Sequence, residues 1–346
     1  MRAAADNPET TAALHGRAVT SYDVAALAGV SQSAVSRALT PGGSVAAATR
    51  ARIMAAVDEL GYRPNAIARS LITQRSNMVA IIVANLDFHP ELTAQLARAL
   101  AARGQHVLLF TLDHEAEADH VIDQIWQYRV DGVVAAVTLP RQHVALLGTR
   151  RTPLVFINRS YTGLAANSVC CDQAAGERLL VERLISAGYR RFGIVTGPAD
   201  SAVSAERVGE IQRCLDAAGC TDVLIANGTF DYASGRAALH RLAARGALPE
   251  AILCANDMMA CGVVDAARHD LGLAVPDDLA VVGFDGLAQA AWASYDLATI
   301  RQPTRAMVDA AVDMLLARLD DPSLGAETRM FAGTLVEGRS ARLKPA

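Results

Sequence analysis

Beyond residue 77, short apolar runs rich in β-branched residues alternate with amphipathic segments of helical period. A first series contains the runs MVAIIVANL, HVLLFTL, DGVVAAVTL and PLVFIN, and a second series begins near Ser168. The runs recur after roughly 25–30 residues, which is typical of a strand followed by a crossover helix. The predicted helices span 91–103, 117–128, 173–187, 205–218, 233–245 and 258–270. Because parallel strands need such crossovers, the pattern predicts two doubly wound α/β lobes with a cleft between them.

Composition supports a large core and excludes several kinds of chemistry. Hydrophobic residues make up 52% of the 346 residues, which excludes a wholly disordered chain. No apolar run approaches the roughly 18 residues of a membrane helix, and the first residues lack the apolar centre of a signal peptide, so we expect a cytoplasmic protein. Lys344 is the single lysine, two residues from the end of the chain, which excludes a P-loop lysine and a Schiff-base mechanism. The six cysteines contain no CxxC pair and are expected to be reduced, buried thiols.

Charge is distributed unevenly along the chain. The formal net charge is −4, yet residues 17–75 hold seven arginines against three acidic residues and carry +4. A small basic segment joined to a large acidic body has the polarity that attraction to phosphate requires. Residues 1–17 show no apolar periodicity and are expected to form a disordered tail.

Within the basic segment, the apolar spacing predicts three helices. Thr20 and Asp23 have the spacing of a capping box, Gly29 ends the first helix, and Ser31 caps a second short helix. The third helix spans about 47–60. Two short helices joined by a glycine-containing turn and closed by a third are typical of a helix-turn-helix unit.

The second helix carries Gln32, Ser33 and Arg37 away from its apolar stripe. In a helix-turn-helix unit, this part of the second helix meets base edges in the major groove. Glutamine can pair with adenine, arginine with guanine, and serine with either. The plainer alternative is a set of solvated side chains on a helix that contacts another protein.

A short helical segment follows Pro64, with Ile67 and Leu71 four residues apart on one face. About two turns of isolated helix are marginal in water, so we expect this segment to be ordered only against DNA or a partner. A leucine at its end is suited to insertion into a minor-groove base step. A plain linker helix is the alternative.

The segments VTSYDVAALAGVSQSAVSRAL and TRARIMAAVDELGYRPNAIARSL resemble the DNA-binding head and hinge of the LacI-type bacterial transcription regulators, and the resemblance extends from about Val19 to Leu343. It implies an α/β protein with an N-terminal three-helix DNA-binding head, a hinge helix and two periplasmic-binding-protein-like lobes. It also implies that Leu71 is the minor-groove lever and that Ile67 packs against the partner's hinge helix in a homodimer. The implied DNA contacts are Thr20, Ser21, Tyr22, Ser31, Gln32, Ser33, Ser36, Arg37, Asn65, Ala68 and Leu71. The implied domains are a tail (1–17), a helix-turn-helix domain (18–64), a hinge and linker (65–76), and an effector-binding and dimerisation core (77–346), with a first lobe at about 77–171 plus 304–332 and a second at about 172–303 plus 333–346.

Residues just beyond the predicted strands are the candidates for a ligand site, since ligands of such lobes bind outside the carboxyl ends of the strands. These positions are 85–90, 158–159, 197–207, 230, 256–257, 285 and 302. Amides, an arginine and acids can hydrogen-bond hydroxyl groups, and an aromatic ring can stack on a sugar face, so the set suits a small polyhydroxylated molecule. The family resemblance implies effector contacts at Phe88, Leu92, Asn158, Ser201, Val203, Arg207, Phe230, Asn256, Asp285 and Gln302.

One predicted ligand segment departs from the family pattern. Where the family often has Asn-Pro followed by two aromatic residues, this chain has His89-Pro90-Glu91-Leu92, and Phe88 is the nearest aromatic residue. Position 158 carries an asparagine where some members carry an acid. The resemblance therefore implies a pocket without identifying its effector.

Several of these residues also have a structural interpretation. Arg207 and Asp285 can form an ion pair between the lobes, Phe230 can belong to the core, and Asp257 can cap the helix that it precedes. The acids and histidines of residues 113–120 look like metal ligands, but solvated charges at a helix N-terminus are the better account.

Taken together, the sequence predicts a homodimeric, sequence-specific DNA-binding regulator rather than an enzyme. The expected function is repression at a near-palindromic operator in the nucleoid, controlled by a sugar or sugar derivative between the lobes, with no cofactor, no metal and no membrane partner. A nicotinamide-dependent enzyme would share the lobes, but no G-x-G-x-x-G follows a strand. A periplasmic sugar-binding protein would not need a basic helical head, and a sugar-cleaving enzyme would need paired carboxylates that the sequence does not indicate.

Overall fold

The computed structural model describes residues 19–40, 42–63, 75–84, 90–112, 117–161 and 163–345. The chain divides into two compact units between Ser76 and Asn77. We call the first unit the head and the second the body. The expected tail at 1–17 and most of the expected hinge segment at 65–76 lie outside the described residues.

The described head is helical, as the sequence predicts. Its helices are α1 (Ser21–Ala28), α2 (Gln32–Leu39) and α3 (Ala47–Glu59). The predicted capping box is confirmed, because the backbone N–H and the hydroxyl of Thr20 both donate to one carboxylate oxygen of Asp23, at 2.8 and 2.7 Å. Gly29 ends α1 in the left-handed conformation, with φ +60°, which lets the N–H of Val30 reach the carbonyl oxygen of Ala25.

The head has its own small core. Val24, Val35 and Ile53, one from each helix, are fully buried, and alanines fill the space around them. Small residues at the contacts let the short helices of the head approach closely.

The body alternates strands and helices throughout. Its elements in chain order are β1 (Met78–Val83), α4 (Pro90–Ala102), β2 (His106–Thr111), α5 (Ala118–Gln127), β3 (Gly132–Ala135), α6 (Arg141–Thr149), β4 (Leu154–Ile157), β5 (Asn167–Cys171), α7 (Gln173–Ala187), β6 (Phe192–Thr196), α8 (Ala202–Ala217), β7 (Val223–Asn227), α9 (Tyr232–Ala243), β8 (Ala251–Cys254), α10 (Asp257–Asp265), β9 (Ala280–Asp285), β10 (Ala298–Arg301), α11 (Thr304–Asp320), β11 (Thr328–Phe331) and β12 (Thr334–Val336).

These strands form two six-stranded sheets, each of which defines a lobe. The first lobe has the order β11-β5-β4-β3-β1-β2, and the second has the order β12-β10-β9-β8-β6-β7. Neighbouring strands are parallel except for β10 and β12. The described chain passes between the lobes after Cys171, after Arg301 and between Phe331 and Thr334. The predicted doubly wound architecture is therefore confirmed.

Apolar burial dominates both lobes. Phe156 in the first lobe and Phe192 and Phe284 in the second are fully buried, and each such side chain stabilises the fold by about 1.5–3 kcal/mol. The six cysteines are free; Cys214 is half-buried and the other five are buried. Among the described residues, no helix is long and apolar enough to cross a membrane.

Some predicted boundaries are wrong. Ser168 lies in β5, the last strand of the first series, so the second series begins with α7. The helix expected from residue 205 begins at Ala202, because the Ser201 hydroxyl accepts the N–H of Ser204 and caps it three residues earlier. The helix expected over 258–270 is α-helical only to Asp265 and ends in a π-helical turn, Ala266–Asp270.

Candidate functional site

Six of the polar residues predicted to contact DNA, Thr20, Ser21, Tyr22, Ser31, Gln32 and Ser33, lie at the starts of α1 and α2, and Ser36 and Arg37 follow in the second half of α2. The Gln32 amide donates to the Ser21 hydroxyl at 3.3 Å, which joins the two helix starts. The hydroxyls of Ser31 and Ser33 are 3.0 Å apart. These contacts bring the candidates together on one surface, the arrangement that a helix-turn-helix unit presents to a groove.

The other candidates in the described head border this surface. Tyr22 is 72% exposed, which is high for an aromatic residue. Arg37 is exposed, Ser36 and Thr20 are half-buried, and Thr20 is committed to the capping box. The candidates Asn65, Ile67, Ala68 and Leu71 lie outside the described residues.

Not every arginine of the basic segment is available to a ligand. Arg50 on α3 donates to the carbonyl oxygen of Gly43 at 2.7 Å and also to the carbonyl oxygen of Ala38. Because these oxygens lie at and just beyond the end of α2, Arg50 satisfies backbone groups that the helix leaves unpaired. Counting charge from the sequence therefore overstates the number of free cations in the head.

The body has a cleft of about 520 Å³ between its lobes. It opens at the carboxyl ends of the strands, as the sequence predicts for a doubly wound fold. Its lining residues are Val83, Ala84, Leu92, Thr93, Leu112, Ala136, Val137, Thr138, Ile157, Asn158, Arg159, Pro198, Asp200, Ser201, Val203, Arg207, Phe230, Asn256, Asp285 and Gln302. Nine of the ten predicted effector residues are in this set, and Phe88 lies outside the described residues.

A buried ion pair lies at the floor of the cleft. Nη2 of Arg207 donates to Oδ1 of Asp285 at 2.8 Å, and both side chains are 3% exposed. The same oxygen accepts the Gln302 amide at 2.6 Å. Arg207 also donates through Nε to Gln173 at 2.8 Å and lies 3.8 Å above the ring of Phe284. The guanidinium is thus held in one orientation before any ligand arrives.

Arg207 and Asp285 do form an ion pair, but the expectation that this pair connects the two lobes is wrong. Arg207 lies on α8 and Asp285 ends β9, and both elements belong to the second lobe. Removing two charges from water offsets much of the Coulombic attraction between them. The pair at the cleft floor is therefore better explained by its positioning of the Arg207 guanidinium than by a contribution to stability.

The predicted contact Asn158 connects the first lobe to the crossover that contains Gln302. Its amide nitrogen donates to Oε1 of Gln302 at 2.6 Å, and its amide oxygen accepts the backbone N–H of Cys171 at 2.9 Å. Asn158 has φ +52°, a left-handed conformation that asparagine tolerates. Its side chain is therefore an integral part of the site.

Phe230 and Asn256 shape the second-lobe wall. Phe230 is half-buried, and a Cβ at Gly197 would lie 2.3 Å from its ring, so the glycine leaves the space that the ring occupies. The Asn256 side chain caps α10 by accepting the N–H of Met259 and donates to the carbonyl oxygen of Phe230. Phe230 thus both packs on the core and lines the cleft.

The expectation that Asp257 caps this helix is wrong, because Asn256 holds that position. Asp257 is completely buried and accepts the N–H of Leu287 at 2.8 Å and the hydroxyl of Thr299 at 2.6 Å. Burial, followed by the nearby Asp285, raises its pKa to about 7. Its role is structural, behind the cleft wall.

Backbone strain concentrates at the cleft. Of the seven described residues other than glycine with positive φ, three line it: Asn158, Phe230 at φ +67° and Asp285 at φ +126°. Such conformations are costly for residues with side chains and persist where the surrounding structure holds them.

Arg159 is among the ligand-site candidates that the sequence placed at 158–159, although no role was assigned to it, and it lines the cleft directly after Asn158. Sequence reasoning missed one buried charged group of this region. Glu177 on α7 is 1% exposed and lies behind the cleft, where burial raises its pKa to about 8. Its position on an amphipathic helix gives no sign of this environment.

Residues 113–116 of the metal-like cluster lie outside the described residues. Asp119, in the first turn of α5, accepts or shares a proton with Nε2 of His143 at 2.7 Å, and its side chain is 82% exposed. In the described ranges, no group of three or more His, Cys, Asp or Glu residues could hold a metal ion.

The family profile "Bacterial regulatory proteins, lacI family" matches residues 20–65, and the profile "Periplasmic binding protein-like domain" matches residues 181–341. The chain is 32% identical to the HTH-type transcriptional regulator AscG of Escherichia coli strain K12 over 329 residues, which cover 92% of this chain and 96% of that protein.

Solved structures give the same result. The lac repressor dimer bound to operator and the anti-inducer ONPF has a TM-score of 0.85 and 26% identity, covering 94% of this chain and 99% of that one. The complex of the transcriptional regulator CelR with cellobiose has a TM-score of 0.71 and 28% identity, covering 93% and 99%.

Proposed function

The chain belongs to the lacI family of bacterial regulatory proteins, and we propose that it represses transcription by binding a near-palindromic operator as a homodimer. We propose further that a sugar or sugar derivative in the cleft controls this binding. The observation that carries the proposal is the presence, in one chain, of an exposed polar helix-turn-helix surface and a two-lobe cleft floored by buried polar residues. Its site of action would be the nucleoid in the cytoplasm.

In this scheme, the heads of two protomers occupy successive half-sites, so that operator symmetry follows the symmetry of the dimer. Gln32, Ser33 and Arg37 read base edges in the major groove, and the other polar residues of the same surface position the head on the phosphates. The solved structure of the lac repressor, a dimer bound to operator, supports this part of the proposal by similarity.

The hinge completes the DNA-binding part of the proposal. Asn65 and Ala68 contact the minor groove, the Ile67 side chains of two protomers meet, and both Leu71 side chains open the central base step. Since an isolated segment of this length is marginal as a helix, its order would depend on the two hinges being brought together on DNA.

The cleft provides the control. An effector changes operator affinity only if it binds one arrangement of the lobes better than the other. A coupling of about 1–3 kcal/mol, or roughly 5- to 150-fold, is the usual scale. The complex of CelR with cellobiose supports a sugar as the class of effector by similarity.

The primary test is a gel shift of the full chain on the intergenic DNA upstream of its own gene, repeated over a salt series. We expect saturable binding that weakens steeply with salt, because phosphate contacts release counterions. Arg37→Ala should weaken binding to that DNA by about 10- to 100-fold while sparing binding to unrelated DNA. Arg339→Ala is the control, since this arginine is 80% exposed and pairs with Asp296 in the body. Equal binding to specific and unrelated DNA would overturn the proposal.

Leu71→Ala tests the hinge separately. Loss of the wedge should weaken binding to the operator and leave non-specific binding unchanged, because non-specific DNA is not opened at a central step. Equal weakening of both would remove Leu71 from this role.

A further inference from the structure

Arg159 is a cleft cation whose hydrogen-bonding capacity is largely unused. It follows β4 in the first lobe and lines the cleft directly beside the Asn158 bridge. Nη1 donates to the carbonyl oxygen of Asn158, its own neighbour, at 2.7 Å. A guanidinium has five N–H donors, and in the described part of the chain no carboxylate forms a salt bridge with this one.

The electrostatic environment of Arg159 is unfavourable for a cation. Burial is the largest cause that lowers its pKa, and the nearby guanidinium of Arg207 lowers it further. The side chains of Tyr161, Cys170 and Asp285 raise the pKa of Arg159 and oppose this effect only in part. Desolvating a charge without a partner costs free energy that a suitable counter-ion would recover.

The cleft does not supply that counter-ion from its described lining. The Asp285 carboxylate is shared between Arg207 and Gln302. Asp200 also lines the cleft, but it lies on the exposed loop before α8. Two guanidinium groups therefore line the cleft, and the buried carboxylate of its described lining, Asp285, already pairs with Arg207.

We propose that the effector carries an anionic group, a carboxylate or a phosphate, and that Arg159 binds it. This inference rests on the proposed function, because it assumes that the cleft holds the effector. A planar guanidinium matches the oxygens of either group with two parallel hydrogen bonds. A neutral polyol would leave the cation of the first lobe without a counter-charge.

The remaining lining suits the rest of such a molecule. Phe230 offers an aromatic face, and Asn256 and Ser201 offer hydrogen-bonding groups on the second-lobe wall. The volume of about 520 Å³ is within the usual range for small-molecule sites. The combination favours a sugar acid or a sugar phosphate over a free inorganic anion.

The first experiment uses inorganic phosphate as a probe that is independent of sugar stereochemistry. Thermal unfolding of the full chain is followed at constant ionic strength while phosphate replaces chloride. We expect a rise in Tm of about 2 °C at tens of millimolar phosphate. The rise should be lost in Arg159→Gln and kept in Arg339→Gln. Arg339 is a matched control because the adjacent Ser340 bonds β9 and β10 near their amino ends, away from the cleft. A wild-type protein without any phosphate effect, or an effect kept in Arg159→Gln, would overturn the inference.

The second experiment separates carboxylate from phosphate. Calorimetry compares a hexose, its uronic acid and its 6-phosphate in the gluco, galacto and manno series. We expect one of the two anionic forms to bind at least about tenfold more tightly than the neutral sugar, and Arg159→Gln to weaken that form by about 10- to 100-fold. A neutral sugar that binds best would overturn the inference.

The same measurements distinguish failure of this inference from failure of the proposed function. A neutral metabolite that changes operator binding would leave the proposed function intact and contradict the anionic effector. Phosphate protection that depends on Arg159, in a protein without specific DNA binding, would contradict the proposed function alone.

Discussion

The two lobes of the body share a fold but contribute different chemistry to the cleft. The first lobe supplies seven apolar residues, three polar ones (Thr93, Thr138 and Asn158) and one charged residue, Arg159; the apolar ones are Val83, Ala84, Leu92, Leu112, Ala136, Val137 and Ile157. The second lobe and the crossover that follows it supply three charged residues (Asp200, Arg207 and Asp285), three polar ones (Ser201, Asn256 and Gln302), and Pro198, Val203 and Phe230. The two lobes therefore have similar sheets but line the cleft with different kinds of side chain.

The same difference extends behind the cleft surface. Glu177, Arg207, Asp257 and Asp285 are buried charged residues of the second lobe, whereas Arg318 is the buried charged residue described in the first. A polar network that is already connected needs little reorganisation when a ligand arrives. The second lobe therefore forms a polar platform at one side of the cleft, and the first lobe forms the opposite wall.

The largest effect should come from breaking the buried ion pair of the second lobe. Asp285→Ala leaves Arg207 buried without its carboxylate, and we expect the free energy of unfolding to fall by about 3–5 kcal/mol. Urea denaturation measures this loss of unfolding free energy. The control is Asp119→Ala in the first lobe, where the His143 pair has an exposed carboxylate and should contribute less than about 1 kcal/mol.

Replacing both partners sharpens this prediction. Arg207→Met combined with Asp285→Leu removes the buried charge altogether and should restore most of the stability lost in Asp285→Ala, while ligand binding stays lost. If Asp285→Ala and Asp119→Ala cost the same, the two lobes do not differ in the way described above.

The second-largest effect on stability is expected for Glu177. Burial raises the pKa of this side chain to about 8. Among the described residues, Oε1 of Glu177 has no hydrogen-bond partner, and the nearby Arg207 offsets the rise in its pKa only in part. Between the ordinary glutamate pKa and about 8, the unfolded chain has released this proton while the folded protein keeps it. Stability from this group is therefore full at low pH and is lost as pH rises across that window.

Glu177→Gln removes this dependence. We expect the free energy of unfolding of the variant, minus that of wild type, to increase by about 2–3 kcal/mol as the pH is raised from about 5.5 to about 7.5. Urea denaturation at each pH measures this difference. Glu182→Gln changes an exposed glutamate of the same helix and should show no such trend. Parallel pH profiles for wild type and Glu177→Gln would show that Glu177 ionises freely in the fold.

The fold could be predicted because its signals are local. Apolar runs and helical periods alternate in the sequence, and caps such as Thr20 with Asp23 mark a helix start within four residues. Errors occurred where a cap was missed, as at Ser201, and where a helix changes its hydrogen-bond pattern, as at Ala266–Asp270. Helix α6, between β3 and β4, was also not predicted.

The site was predictable only in part. Strand ends identify which residues face a cleft, so Arg207, Asn256 and Gln302 could be selected from the sequence together with the family resemblance. Which partner each side chain takes depends on contacts between distant segments, such as Arg207 with Asp285. For that reason the burial of Glu177 could not be read from sequence, whereas the expected bounds of the second lobe, 172–303, already contain both Arg207 and Asp285.

The smallest effect on stability, and the sharpest test of the first lobe, is expected for Asn158→Asp. Aspartate tolerates the left-handed backbone of this position and can still accept the N–H of Cys171, but it cannot donate to Oε1 of Gln302, so we expect the free energy of unfolding to fall by about 1–2 kcal/mol. The new carboxylate stands next to Arg159 and would supply the counter-charge that we assign to the effector. We therefore expect the preference for an anionic over a neutral sugar to fall by about tenfold in calorimetry. Asn158→Gly, which keeps the backbone conformation and adds no charge, should keep that preference. If Asn158→Asp keeps it as well, the lone cation does not set the selectivity of the cleft, and the polar platform of the second lobe must do so.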